Sequence, residues 1–148
     1  MTDIPRLFVE DAAVRRVGAA FLAHRLPKSE WTHEAHLATC LWLIAERPDI
    51  DVDGTIGDLI RGYNVSVGIV NDATQGYHET ITRAYVAGVR HHLATGAAPG
   101  LAASVNALLT GEVGRRDWPL RFWSRERLFS SAARLGWLEP DLAPLPPR

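Results

Sequence analysis

Apolar residues recur along most of this chain at spacings of three and four, the period of a helix with one buried face. The first stretch, from Phe8 to Arg25, carries Val14, Val17, Phe21 and Leu22 on one side and ends at Leu26-Pro27. Proline disfavours helical backbone in the residue before it. Ser29 is placed to cap a second helix that runs to about Arg47 and stops at Pro48. A third helix spans Val52 to Gly68, with Ile56, Leu59, Ile60 and Tyr63 inward. Asn64 to Gln75 reads as irregular, and Asp72 with Gln75 has capping-box spacing. That box predicts a fourth helix from Ala73 to Ala94, ended by Gly96.

Beyond a linker at Ala97-Ala98-Pro99-Gly100, the pattern predicts a short helix over Leu101 to Leu109 and an extended Trp118-Pro119. A last helix runs from the Ser124 cap through Leu135, with a Schellman-like ending at Gly136. The strict alternation of a half-buried strand appears nowhere. The expected fold is all-α: a single-domain antiparallel helical bundle over residues 1–148, with a Pro-rich tail over 139–148.

Composition narrows the class. A chain of 148 residues, 47% hydrophobic and 22% charged, is long enough for an apolar core. One cysteine, Cys40, rules out an internal disulfide. No basic-then-apolar leader is visible at the start, and the longest apolar run, Cys40 to Ala45, is far short of the ~20 residues that span a bilayer. The expectation is a cytoplasmic protein with no membrane partner. Net charge is −1, so no global field attracts nucleic acid. From Val113 onward seven arginines face four acids, giving +3 and leaving −4 for the rest. The basic-aromatic stretch Trp118 to Arg125 is read as a plug of the bundle end by Trp118, Phe122 and Trp123. Within it, Arg121 is best placed to meet an anion.

The candidate chemistry sits in two short motifs, Trp31-Thr32-His33-Glu34-Ala35-His36-Leu37 and Gly76-Tyr77-His78-Glu79-Thr80-Ile81-Thr82. On the second helix His33, His36 and Cys40 form one row beside the Leu37, Leu41, Ile44 stripe, and Glu34 points away from it. On the fourth helix His78 joins the apolar stripe with Ile81, Tyr85 and Val89, and Glu79 lies at its flank. If those helices pack together, three imidazoles face one interior. Imidazole suits divalent transition metals, and three ligands plus an open position is the usual catalytic arrangement. The expectation is therefore a metal-dependent enzyme, hydrolase- or lyase-like, acting on a small polar substrate. His33, His36 and His78 would bind Zn, Fe, Mn or Ni. His78 and Glu79 would be catalytic, Glu79 as ligand or as base on bound water. The histidines of His33-Glu34-Ala35-His36 are three apart, so the zinc-protease pattern with histidines four apart is not present.

Two alternatives stay open. One is a non-catalytic module that binds a small ligand or a partner chain; the other is a metal-free acid-base enzyme using His and Glu. Glu79 also has a plain structural use, an ion pair with Arg83. Arg61, Tyr63 and Asn64 are further candidates to hold a substrate. A homodimer is compatible with the composition.

The two motifs resemble those of an uncharacterised family of small bacterial and fungal helical proteins. Its members carry an aromatic-x-His-x-x-His-Leu segment followed by Tyr-His-Glu-Thr-x-Thr. The resemblance covers the central third of the chain. It implies that His33, His36, His78 and Glu79 belong to one site, and it brings no reaction with it.

Overall fold

The computed structural model describes residues 4–96 and 98–147, and among these no strand occurs. Five longer helices, α1 (Asp11–Leu22), α2 (His33–Glu46), α3 (Val52–Ser66), α4 (Glu79–Thr95) and α5 (Leu101–Thr110), are followed by two short ones, α6 (Arg125–Leu128) and α7 (Ser131–Leu135). None is long and apolar enough to cross a membrane. Ala97 of the expected linker lies outside the described residues, as does Arg148 of the tail.

The elements match the apolar pattern, but several ends differ, each for a local reason. Lys28–Glu30 forms a single 3₁₀ turn, and the cap of α2 is Thr32, not Ser29. The Thr32 hydroxyl accepts from the Ala35 N–H at 3.1 Å. Asp72 and Gln75 do pair, but within a surface loop. Asp72 Oδ1 accepts from the N–H groups of Thr74 and Gln75, and Gln75 Nε2 donates to Asp72 Oδ2. Helix α4 consequently begins at Glu79, six residues later than the box predicts. Trp118–Arg121 is a 3₁₀ turn, because Pro119 at the front of a turn needs no N–H partner there. The last helix is broken in two, since Ser130 makes a second cap by accepting from the Ala133 N–H at 3.2 Å. Gly136 is extended, with φ −158° and ψ 179°, so the left-handed ending does not form.

The main core gathers residues of α1 to α5, with Val14, Phe21, Leu37, Leu41, Leu43, Val89, Val105 and Leu108 almost fully buried. Three contacts tie α1 and α3 to α2 and to the segment that leads into it. Gly18 lies against the Trp42 ring, where any Cβ would collide with it. Phe21 stacks on Trp31 with ring centroids 4.5 Å apart, and the buried Tyr63 hydroxyl donates to the Leu26 carbonyl at 2.8 Å. A second, smaller core of Ala84, Trp118, Trp123 and Leu128 closes one end of α4. There Trp118, Phe122, Trp123 and Trp137 follow one another edge-on, as the plug reading expects. Residues 138–142 are tied to this core. The Trp123 indole donates to the Leu138 carbonyl, and Asp141 accepts from Ser124.

Candidate functional site

Helices α2 and α4 do pack against each other. Their histidines nevertheless have different fates, decided by where each helix starts. His78 is the N-cap of α4 itself. Its Nδ1 accepts from the Ile81 N–H at 3.1 Å, and its Nε2–H donates to the buried Leu128 carbonyl at 2.8 Å. Both ring nitrogens are consumed, and burial lowers its pKa, which favours this neutral form. His78 therefore has no lone pair to offer a metal or a proton in transit. Glu79 accepts the Tyr77 hydroxyl at 2.6 Å and sits 3.9 Å from Arg83, so the plain ion-pair use is realised.

His33 and His36 fall in the first turn of α2 with Thr32 as cap, so neither ring is spent on capping. His36 Nδ1–H donates to the Thr32 carbonyl at 2.7 Å. A carbonyl only accepts, so this bond fixes the tautomer and leaves Nε2 as a free acceptor. His33 Nε2–H likewise donates to the Gly114 carbonyl at 2.8 Å and leaves Nδ1 as the acceptor. Gly114 is needed at this spot, because a Cβ would run into the Leu108 and Leu109 carbonyls. The His36 ring lies against Trp31, centroids 3.8 Å apart. It keeps some accessible surface because it borders a cavity, yet it sits deep enough that burial lowers its pKa to about 4.

That cavity, of about 330 Å³, lies between α2, α3 and α4. Its walls are mostly apolar: Leu37, Ile56, Ile60, Ile81 and Val86 among them. Trp31, His33, His36, Thr39, Thr82 and Tyr85 supply the polar atoms. Two of these, Trp31 Nε1 and Thr39 Oγ1, are buried with no hydrogen-bond partner. Leaving such groups unpaired costs about 1–3 kcal/mol each. Cys40 also lines the wall, and burial pushes its thiol up to about 12, so it is a neutral filler and no thiolate.

Among the described residues no group of three His, Cys, Asp or Glu side chains is placed to hold a metal ion. Of the expected His33, His36 and His78 set, His33 and His36 each keep one ring nitrogen without a hydrogen bond. None of the four substrate-holding candidates lines this cavity. Tyr63 is wholly buried on Leu26, and Asn64 Nδ2 donates to Asn71. Arg61 pairs with Asp58 and covers the Tyr77 ring, and Arg121 pairs with Glu112 at 2.9 Å. Thr39 went unnoticed in the sequence. Its only signal is a hydroxyl set inside the otherwise apolar run from Leu37 to Ala45.

Glu34, set aside because it points away from the histidine row, is in fact 6% exposed. It faces a second cavity, of about 820 Å³, against the loop 111–117. No protein-family model matches the chain, and neither a curated protein nor a solved structure matches it.

Proposed function

We propose that this chain binds a small, largely apolar molecule in the cavity between α2, α3 and α4, and that the ligand completes the hydrogen bonds the protein leaves unmade there. The observation that carries the reading is the pair of buried, unpartnered groups, Trp31 Nε1 and Thr39 Oγ1, in walls that also hold the free His36 Nε2 acceptor. Buried polar groups are nearly always satisfied, and an apolar pocket with a few unpaired polar atoms is the usual form of a ligand site.

The magnitude of the His36 shift favours binding over proton transfer. A general base works best with a pKa near the operating pH, and a ring at about 4 is a good acceptor but a weak base. The metal reading keeps one supporting observation. His36 anchors Nδ1–H on a backbone carbonyl, the orientation common to metal-binding histidines. It would need a third ligand from outside the histidine motifs.

Titration calorimetry with 4-phenylbutan-1-ol tests the reading, since that probe has an apolar body and one hydroxyl. Wild-type protein should bind it, and Thr39→Val should weaken binding by about fivefold, the usual value of one neutral hydrogen bond. No binding, or binding indifferent to Thr39→Val, would sink the reading.

A further inference from the structure

The two cavities are neighbours, and His33 lines both. Tyr85 lines the first, and its hydroxyl donates at 2.6 Å to the carbonyl of Arg115, which lines the second. The His33 ring packs edge-on to Tyr85 at 5.6 Å.

The second cavity is more polar than the first, with Glu34, Glu112, Arg115, Arg116 and Asp117 in its lining. Three of its charged residues are in exposed ion pairs: Arg115 with Asp117 at 3.0 Å, and Glu112 with Arg121, outside the lining, at 2.9 Å. Glu34 differs from these. Its carboxylate is buried, and Arg116 Nη2 stands 3.7 Å away on a side chain that is itself 57% exposed. A charge-assisted N–H···O bond closes to about 2.7–2.9 Å, so this pair is loose. A largely buried carboxylate held by so wide an ion pair keeps room for a second, closer cation, whose contact would offset part of its desolvation. The α2 N-terminus offsets part of the charge, because Glu34 is the second residue of that helix.

Resting on the ligand reading above, we propose that the two cavities are halves of one site whose ligand is an amphiphilic amine. The apolar body occupies the cavity beside Trp31 and His36. The chain passes over His33, and the ammonium group sits against Glu34. The unpartnered Thr39 and Trp31 groups mark the first half as a site independently of Glu34.

Three matched probes test this on the full chain at neutral pH by titration calorimetry: 4-phenylbutylamine, 4-phenylbutan-1-ol and 4-phenylbutyrate. The amine should bind about tenfold tighter than the alcohol, and the carboxylate weakest, as expected for a charge-assisted contact. Glu34→Gln should bring the amine down to the alcohol's affinity and leave the alcohol within about twofold. Arg116→Ala removes a competing cation and should tighten the amine by about threefold; it decides the matter should Glu34→Gln fail to fold. Equal binding of amine and alcohol overturns the proposal, as does a preference for the amine that survives Glu34→Gln or is untouched by Arg116→Ala. If the alcohol binds and responds to Thr39→Val but the amine gains nothing, the joined site falls and the cavity reading stands. If no probe binds, both fall.

Discussion

The two histidine motifs look alike in the sequence and do opposite things in the fold. Each lies at the start of a long helix and each turns an imidazole inward. At α2, Thr32 caps the helix, so His33 and His36 keep a nitrogen apiece in reserve. At α4, the cap position holds His78 in place of a Ser or Thr, and its ring is itself the cap. The difference of one residue type at the cap position separates a histidine that can meet a ligand from one that is spent on structure. A histidine's availability is thus settled by the hydrogen bonds its backbone surroundings demand first.

Removing His78 should break this comparison most strongly. His78→Ala loses a helix cap and strands the buried Leu128 carbonyl, which together amount to roughly 2–4 kcal/mol. Urea unfolding should show that loss. Affinity for 4-phenylbutan-1-ol in the fraction that folds should stay unchanged. His78→Asn restores the cap alone, and should recover about 1 kcal/mol. A mild effect on stability with a large one on binding would reverse the roles assigned to the two motifs.

The pH dependence of stability sharpens the comparison at His36. Its folded pKa is about 4, below the ordinary value of 6.5, so the unfolded chain binds the extra proton first. Stability from this group is fully present above pH 6.5 and is lost as pH falls toward 4. The full shift corresponds to at most about 3 kcal/mol. His78 shifts in the same direction, and carboxylates add acid dependence of their own. The contrast between wild type and His36→Gln isolates the His36 share. The wild-type curve should fall more steeply across that window, and parallel curves would mean that the ring is not held neutral.

The helices were legible in the sequence because their apolar faces are set by spacing, and spacing survives any error in the ends. Ile56, Ile60 and Tyr63 are buried as expected, and so are Leu37 and Leu41. The ends were less legible, since capping is a competition. Asp72 and Gln75 satisfy the same pattern in a loop as they would at a helix start, and only the fold decides between them. That choice moved the start of α4 and turned His78 from a side chain of the helix's second turn into its cap. Glu34 was illegible for a related reason. A helical wheel places it off the apolar stripe, but the loop 111–117 folds over that side and buries it. Contacts supplied by distant loops leave no periodic trace.

Thr39→Val should part stability from binding. Replacing an unpaired buried hydroxyl by a methyl removes a desolvation cost without opening a void, so stability should rise by about 1 kcal/mol. For a chain of 148 residues that is roughly 2–4 °C in the thermal midpoint. The same variant should lose affinity for 4-phenylbutan-1-ol. A gain in stability with a loss in binding is the signature of a polar group kept for a ligand. A variant that is less stable would show the hydroxyl already satisfied in the free protein.

The smallest expected effect bears on the metal. A ligand bound only to the folded state raises the thermal midpoint, and stripping it lowers the midpoint again. With His78 consumed by Ile81 and Leu128, the two remaining imidazoles make a weak donor set. Excess EDTA should therefore shift the midpoint of freshly purified protein by less than about 1 °C, the scale of a few tenths of a kcal/mol. A fall of several degrees that disappears in the His33→Ala, His36→Ala double variant would restore a metal to the α2 site. The third ligand would then come from outside the histidine motifs. If instead the fall disappeared in His78→Ala, the capping bonds would have to yield to coordination, and the contrast between the two motifs would collapse.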